Sequence, residues 1–130
     1  MVGVVETTMS AVAEKLQQIE VEISADKGAF NLFALIERED SLGKWDIVVA
    51  ANWIDAERKD LINTIALKIR EKLTEDEQLM LSRIVTLSPL DTLVRSLNMI
   101  VVEHGTVKLS NNSFNGIVIK EAYLITSKSN

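Results

Sequence analysis

The 130-residue chain has no cysteine, a single proline, five glycines and only 5% aromatic residues. Each shortage removes a class of function. Without cysteine there is no disulfide, no thiolate nucleophile and no Cys-based zinc or iron–sulfur site. The same absence fits a cytoplasmic protein. None of the glycines falls in a Gly-x-Gly-x-x-Gly or Gly-x-x-x-x-Gly-Lys spacing, so the backbone cradles of classical nucleotide binding are missing. The Gly-x-Ser-x-Gly nucleophile elbow is missing too. Uninterrupted apolar runs reach about five residues, against the roughly 20 that span a bilayer, so membrane insertion is not expected. Residues 1–6 carry no basic stretch followed by a long apolar one, and no secretory signal is expected.

Positive charge is also in deficit. Fourteen Lys and Arg face nineteen Asp and Glu, a net charge of −5. General nucleic-acid binding rests on neutralising phosphates and is therefore not expected. Arg58, Lys59, Lys68, Arg70 and Lys72 alternate with acids, as on a solvated helix face rather than a phosphate-binding patch.

What the chain does have is an ordinary globular balance, 47% apolar and 25% charged, in a length suited to a single domain over 1–130. Its centre is the run Ile47-Val48-Val49-Ala50-Ala51, set between the only two tryptophans, Trp45 and Trp53. Apolar residues without alternation mark a strand covered on both faces. Upstream, Met9, Val12, Ala13, Leu16, Ile19 and Ile23 recur at steps of three and four and predict a helix over 8–24, closed near Gly28. A strand over 29–36 follows. The charged connection 37–44 is too short for a crossover, so the first two strands should pair as an antiparallel hairpin.

Downstream, Asp55 is placed to cap a helix over 56–72. Thr74 and Glu77 have the spacing of a capping box for a short helix over 75–82. Residues 83–87 read as a third strand. Ser88 and Pro89 read as N-cap and first residue of a helix over 89–97, with Asp91 as the N3 partner of the serine. Residues 99–102 read as a fourth strand, 103–105 as a turn, 106–109 as a short strand and 117–125 as the last one. Turn chemistry at 111–113 and 115–116 separates these two. Residues 1–6 and 126–130 are expected to be tails.

This order predicts an α/β domain: a mixed sheet of five to six strands with helices packed on both faces. A two-layer α+β arrangement is the alternative. Two β-helix-β crossovers would make strands two, three and four parallel, so that the segments after them emerge at one sheet edge. Ligands of open α/β sheets bind at such an edge. It would gather Asn52, Trp53, Ser88 and Glu103 as ligand-binding residues, with Asp55, Asp91 and His104 as candidates for acid–base or metal chemistry.

Simpler roles compete for each. His104 sits before a glycine in a turn, Ser88 and Asp91 suit helix capping, and tryptophans beside a core strand usually pack. Asp46 opens its strand at the far end. Glu57-Arg58-Lys59 falls on a helix, where a restriction-type nuclease would want its Glu-x-Lys on a strand. The expected function is binding or oligomerisation without catalysis or cofactor, through a protein partner or self-association that covers strand 117–125. The alternatives are a metal-dependent hydrolase or phosphoryl-transfer enzyme at the sheet edge, and a regulatory partner of a basic protein.

Overall fold

In the computed structural model, residues 8–40, 43–114 and 117–129 are described. They run in the order α1 (Met9–Lys27), β1 (Leu32–Glu37), β2 (Trp45–Ala50), α2 (Ile54–Lys72), α3 (Glu75–Leu79), β3 (Leu81–Leu87), α4 (Thr92–Leu97), β4 (Val107–Phe114) and β5 (Ile117–Ser127). The strands form one mixed sheet in the order β3-β2-β1-β5-β4. As the charged connection predicts, β1 and β2 pair antiparallel. The single crossover through α2 and α3 makes β3 parallel to β2. The α/β expectation thus holds, with a five-stranded sheet.

The apolar run fixes the layering. Ile47, Val48, Val49, Ala50 and Ala51 are all buried. Because strand side chains alternate, Ile47 and Val49 join one apolar cluster and Val48 and Ala50 the other. The first cluster is sealed by α1 and α2 through Leu16, Ile19, Ile23, Leu61, Ile65 and Ile69. The second is covered by Val94 and Leu97 of α4. Gly28, which closes α1, has φ +125, and a Cβ there would come within 3.1 Å of the Trp53 ring. Both facts require glycine.

Several local expectations need correction. Residues 99–102 do not form a parallel fourth strand. Only Val102 makes a bridge, antiparallel, to Ser127. A six-residue helix is about 9 Å long, too short to carry the chain back along a seven-residue strand of about 23 Å. The second crossover therefore has no room to form. Asp55 does not cap α2: the helix starts at Ile54 with Trp53 at the cap position and no side-chain cap bond. Asp91, not Ser88, caps α4, accepting from Leu93 N, while the Ser88 hydroxyl accepts from Leu90 N in the turn before it. The Thr74–Glu77 capping box is present in both directions.

β5 continues to Ser127, so Thr126 and Ser127 are buried strand and not tail. β5 also lies inside the sheet, between β1 and β4, with β1 pairing along its 122–127 part. Asn111 and Ser113 belong to β4 and not to a turn. The expected turn residues 115–116 and the tail residues 1–6 lie outside the described residues. Among the described residues no helix is long and apolar enough to cross a membrane.

Candidate functional site

β5 runs antiparallel to β1, and so in the direction of β2 and β3. The segments following these three strands emerge at one edge of the sheet. There a cavity of about 600 Å³ opens. Asn52 lines it from the end of β2, Asp55 from the first turn of α2, Ser88 from the end of β3 and Ser129 from beyond β5. Its other wall comes from α4 and its flanks, where Leu90, Arg95, Asn98 and Met99 line it.

The floor is a hydrogen-bonded belt. Asn98 at the end of α4 donates through Nδ2 to Asn31 O at 2.9 Å and to the Ser127 hydroxyl at 3.1 Å. Ser127 in turn donates to Leu97 O at 2.8 Å. Asn31 donates through Nδ2 to Lys128 O at 3.0 Å, and its own carbonyl accepts the Lys128 N–H. The start of β1, the end of β5 and α4 are thereby fastened to one another. Satisfied polar networks of this kind rigidify their surroundings.

The mouth is different. Asn52, Asp55 and Arg95 are exposed, and among the described residues none of the three side chains has a hydrogen bond or an ion pair. Leu90 is 80% and Met99 72% exposed, and Val101 beside them 75%.

Of the residues that the sequence places at a site, Asn52, Asp55 and Ser88 come together here. The others do not line the cavity. Trp53 packs against Phe30, with ring centroids 5.2 Å apart, and its indole N–H donates to Ala29 O at 3.0 Å. Asp91 is taken up by its cap bond to Leu93 N. Glu103 pairs with Lys128. His104 turns towards α1, where its Nδ1 lies 2.6 Å from Oε1 of Glu20. Its backbone is in the left-handed region, φ 52, and Gln17 Nε2 donates to its carbonyl. Asp46 sits at the far end of β2, paired with Arg83 at 2.7 Å. That contact holds the Arg83 guanidinium pKa above its usual value.

Sequence reasoning missed Asn31, Arg95, Asn98 and Ser129. No motif or spacing links them; only the fold does. Glu20 was also missed, and there a signal exists. It is four residues from Leu16 and three from Ile23, in phase with the buried stripe of α1. A carboxylate in such a stripe must find a partner inside. Among the described residues no three His, Asp or Glu side chains stand close enough to hold a metal ion. Comparison with protein families, with characterised proteins and with solved structures finds no match for this chain.

Proposed function

We propose that the chain is a binding protein whose ligand enters the cavity at the ends of β2, β3 and β5. The observation that carries this reading is the contrast inside one cavity between a fastened floor and an uncommitted mouth. Asn31, Asn98 and Ser127 are bonded to one another, whereas Asn52, Asp55 and Arg95 are left without partners among the described residues. A preformed concavity with a few convergent polar groups is the usual form of a small-molecule site. Catalysis is not part of the proposal. His104, the one side chain suited to proton transfer near neutral pH, is engaged with Glu20 away from the cavity. The Ser88 hydroxyl accepts from Leu90 N, and His104, the one base that suits it, lies away from the cavity on Glu20. The hydrolase alternative would need Asp55, Asp91 and His104 together, and they stand apart.

Thermal-shift screening against small polar molecules, nucleotides and divalent metals tests this. A ligand at a hundred times its Kd stabilises by about 2.7 kcal/mol. The expected result is a rise in Tm that Arg95→Gln or Asn52→Ala weakens. A rise that these variants leave untouched would place the ligand elsewhere. A response to divalent metals that Asp55→Asn abolishes would favour the hydrolase. The exposed Leu90, Met99 and Val101 support a second reading, engagement of a protein partner or a second copy through this rim. Light scattering on the purified chain tests self-association, with a concentration-independent monomer as the opposing result.

A further inference from the structure

We infer that the cavity takes a short zwitterionic peptide, of two or three residues with both termini free. This rests on the binding reading above and names its ligand. The cavity holds one carboxylate, Asp55, and one guanidinium, Arg95, on different elements, and no ion pair joins them. Elsewhere in the molecule opposite charges on neighbouring helices pair, as Lys27 does with Glu57 and Asp60 or Glu22 with Lys68 and Lys72. Two opposite charges kept apart across one opening are complementary to a ligand that carries both signs. A polyanion such as a nucleotide meets only one cation here and is repelled by Asp55, and the glycine-rich loop that would cradle its phosphates is absent. A simple cation is opposed by Arg95.

Besides the two charges the cavity is lined by apolar Ala51, Pro89, Leu90 and Met99 and by the amides of Asn52 and Asn98. That combination of apolar wall and amide matches a peptide, whose side chains need the first and whose backbone needs the second. A single amino acid would fill only part of the cavity. About 600 Å³ lies in the range of sites that hold drug-sized molecules, roughly 300–1,000 Å³. Two or three residues span about 7–10 Å when extended, so that their ammonium and carboxylate can meet separate charged groups of one cavity.

Isothermal titration of the full chain with the tripeptide Leu-Ala-Leu tests this. The companion probes are its N-acetylated form, its C-amidated form and free leucine. The expected result is binding of the free-termini tripeptide, weakened about tenfold by either blocking group. Acetylation should no longer matter in Asp55→Asn, nor amidation in Arg95→Gln, because each variant removes the group that reads that terminus. Equal binding of blocked and free peptides overturns the proposal. So does tighter binding of leucine alone. In parallel, a fragment panel is followed by amide chemical shifts at Asn52, Ser88 and Asn98. Fragments that shift these residues while no peptide binds overturn the peptide assignment and leave the cavity as a site. Silence from peptides and fragments alike overturns both.

Discussion

The two faces of the sheet are built on different principles. On one, α1 and α2 lie along a surface of Phe33, Leu35, Ile47, Val49, Tyr123 and Ile125. Their flanks are tied by charge: Glu22 to Lys68 and Lys72, and Lys27 to Glu57 and Asp60. Lys15 reaches Glu77 at 2.6 Å and Glu20 reaches His104. On the other face, six-residue α4 shares an apolar cluster with sheet residues that include Ala34, Ala50 and Ala122 beside Leu32, Val48 and Leu124. Beside it Leu90, Met99 and Val101 remain open. The first face uses its polar groups to fasten helices. The second fastens α4 through Asn98 and Ser127 and leaves Arg95 unpaired among the described residues. The charged clamps are thus concentrated on the α1–α2 face, and substitutions on the two faces should behave differently.

The largest difference is expected from one truncation made on each face. Leu16 on α1 and Leu97 on α4 are both fully buried. Leu16→Ala leaves a hole between a sheet and a helix clamped at several points, so it should cost about 4 kcal/mol. Leu97→Ala lies under a six-residue helix fastened at its C-terminal end by Asn98 and Ser127, whose other end can settle towards the sheet, and should cost about 2 kcal/mol. Chemical denaturation measures both. Equal costs would mean that α4 is held as rigidly as α1, and the contrast between the faces would fail.

Next comes the latch on α1. Glu20 is wholly buried, its Oε1 on His104 and its Oε2 without a partner among the described residues. His104→Ala strands this carboxylate and should cost about 2 kcal/mol. Adding Glu20→Leu should restore most of the loss, because a buried group with no partner is worse than an apolar one of similar size. If the double variant is no more stable than His104→Ala, the buried carboxylate is not the source of the cost.

The same face carries the acid sensitivity. Burial pushes the Glu77 carboxyl up, but Lys15 and the Thr74 N–H pull it further down, and the net shift is below the ordinary 4.5. Glu22 is lowered as well, by its hydrogen bonds to Lys68 and then Lys72. Both groups are thus harder to protonate folded than unfolded. Their contribution is fully present above pH 4.5 and is lost as pH falls through the folded-state values. Glu77→Gln should flatten the fall of stability with acidity below that point. An unchanged slope in urea titrations at several pH values would remove Glu77 from the account.

How much of this is legible in the chain varies with the kind of signal. The doubly apolar run at Ile47–Ala51 gives the two-faced burial of β2 directly, and the stripe from Met9 to Ile23 gives α1. Both depend on periodicity, which survives folding intact. Residues 99–102 mislead because Met99, Ile100, Val101 and Val102 have the composition of a strand, yet only Val102 meets one, at Ser127 of β5. In the fold Met99 and Val101 are exposed. Helix starts mislead where two capping residues stand three apart, as Ser88 and Asp91 do, since either can serve and packing decides. Asn52, Asp55 and Ser88 converge at one edge although only one of the two expected crossovers exists. β5, whose direction depends on long-range pairing with β1, takes the place given to the missing strand. Arg95 and Asn98 join them through the placement of α4, which no local pattern encodes.

The smallest effect on stability is expected at the cavity mouth, and it is the most telling about the comparison. Arg95 has no partner among the described residues, and Leu90 and Met99 are 80% and 72% exposed. None of them contributes to the belt of Asn31, Asn98 and Ser127 that fastens the floor. Arg95→Gln, Leu90→Ser and Met99→Ser should therefore each stay within about 0.5 kcal/mol of the parent. The two serine variants should also raise solubility, because they remove apolar surface that water already covers. Asp55→Asn should cost slightly more than Arg95→Gln, since a carboxylate in the first turn of α2 meets the positive end of the helix dipole. Denaturation midpoints for the four variants decide the matter. A loss of more than about 1 kcal/mol in Arg95→Gln would show that the guanidinium holds the fold together. The open face would then be a second structural face, and the charges at the cavity would have no claim to a ligand.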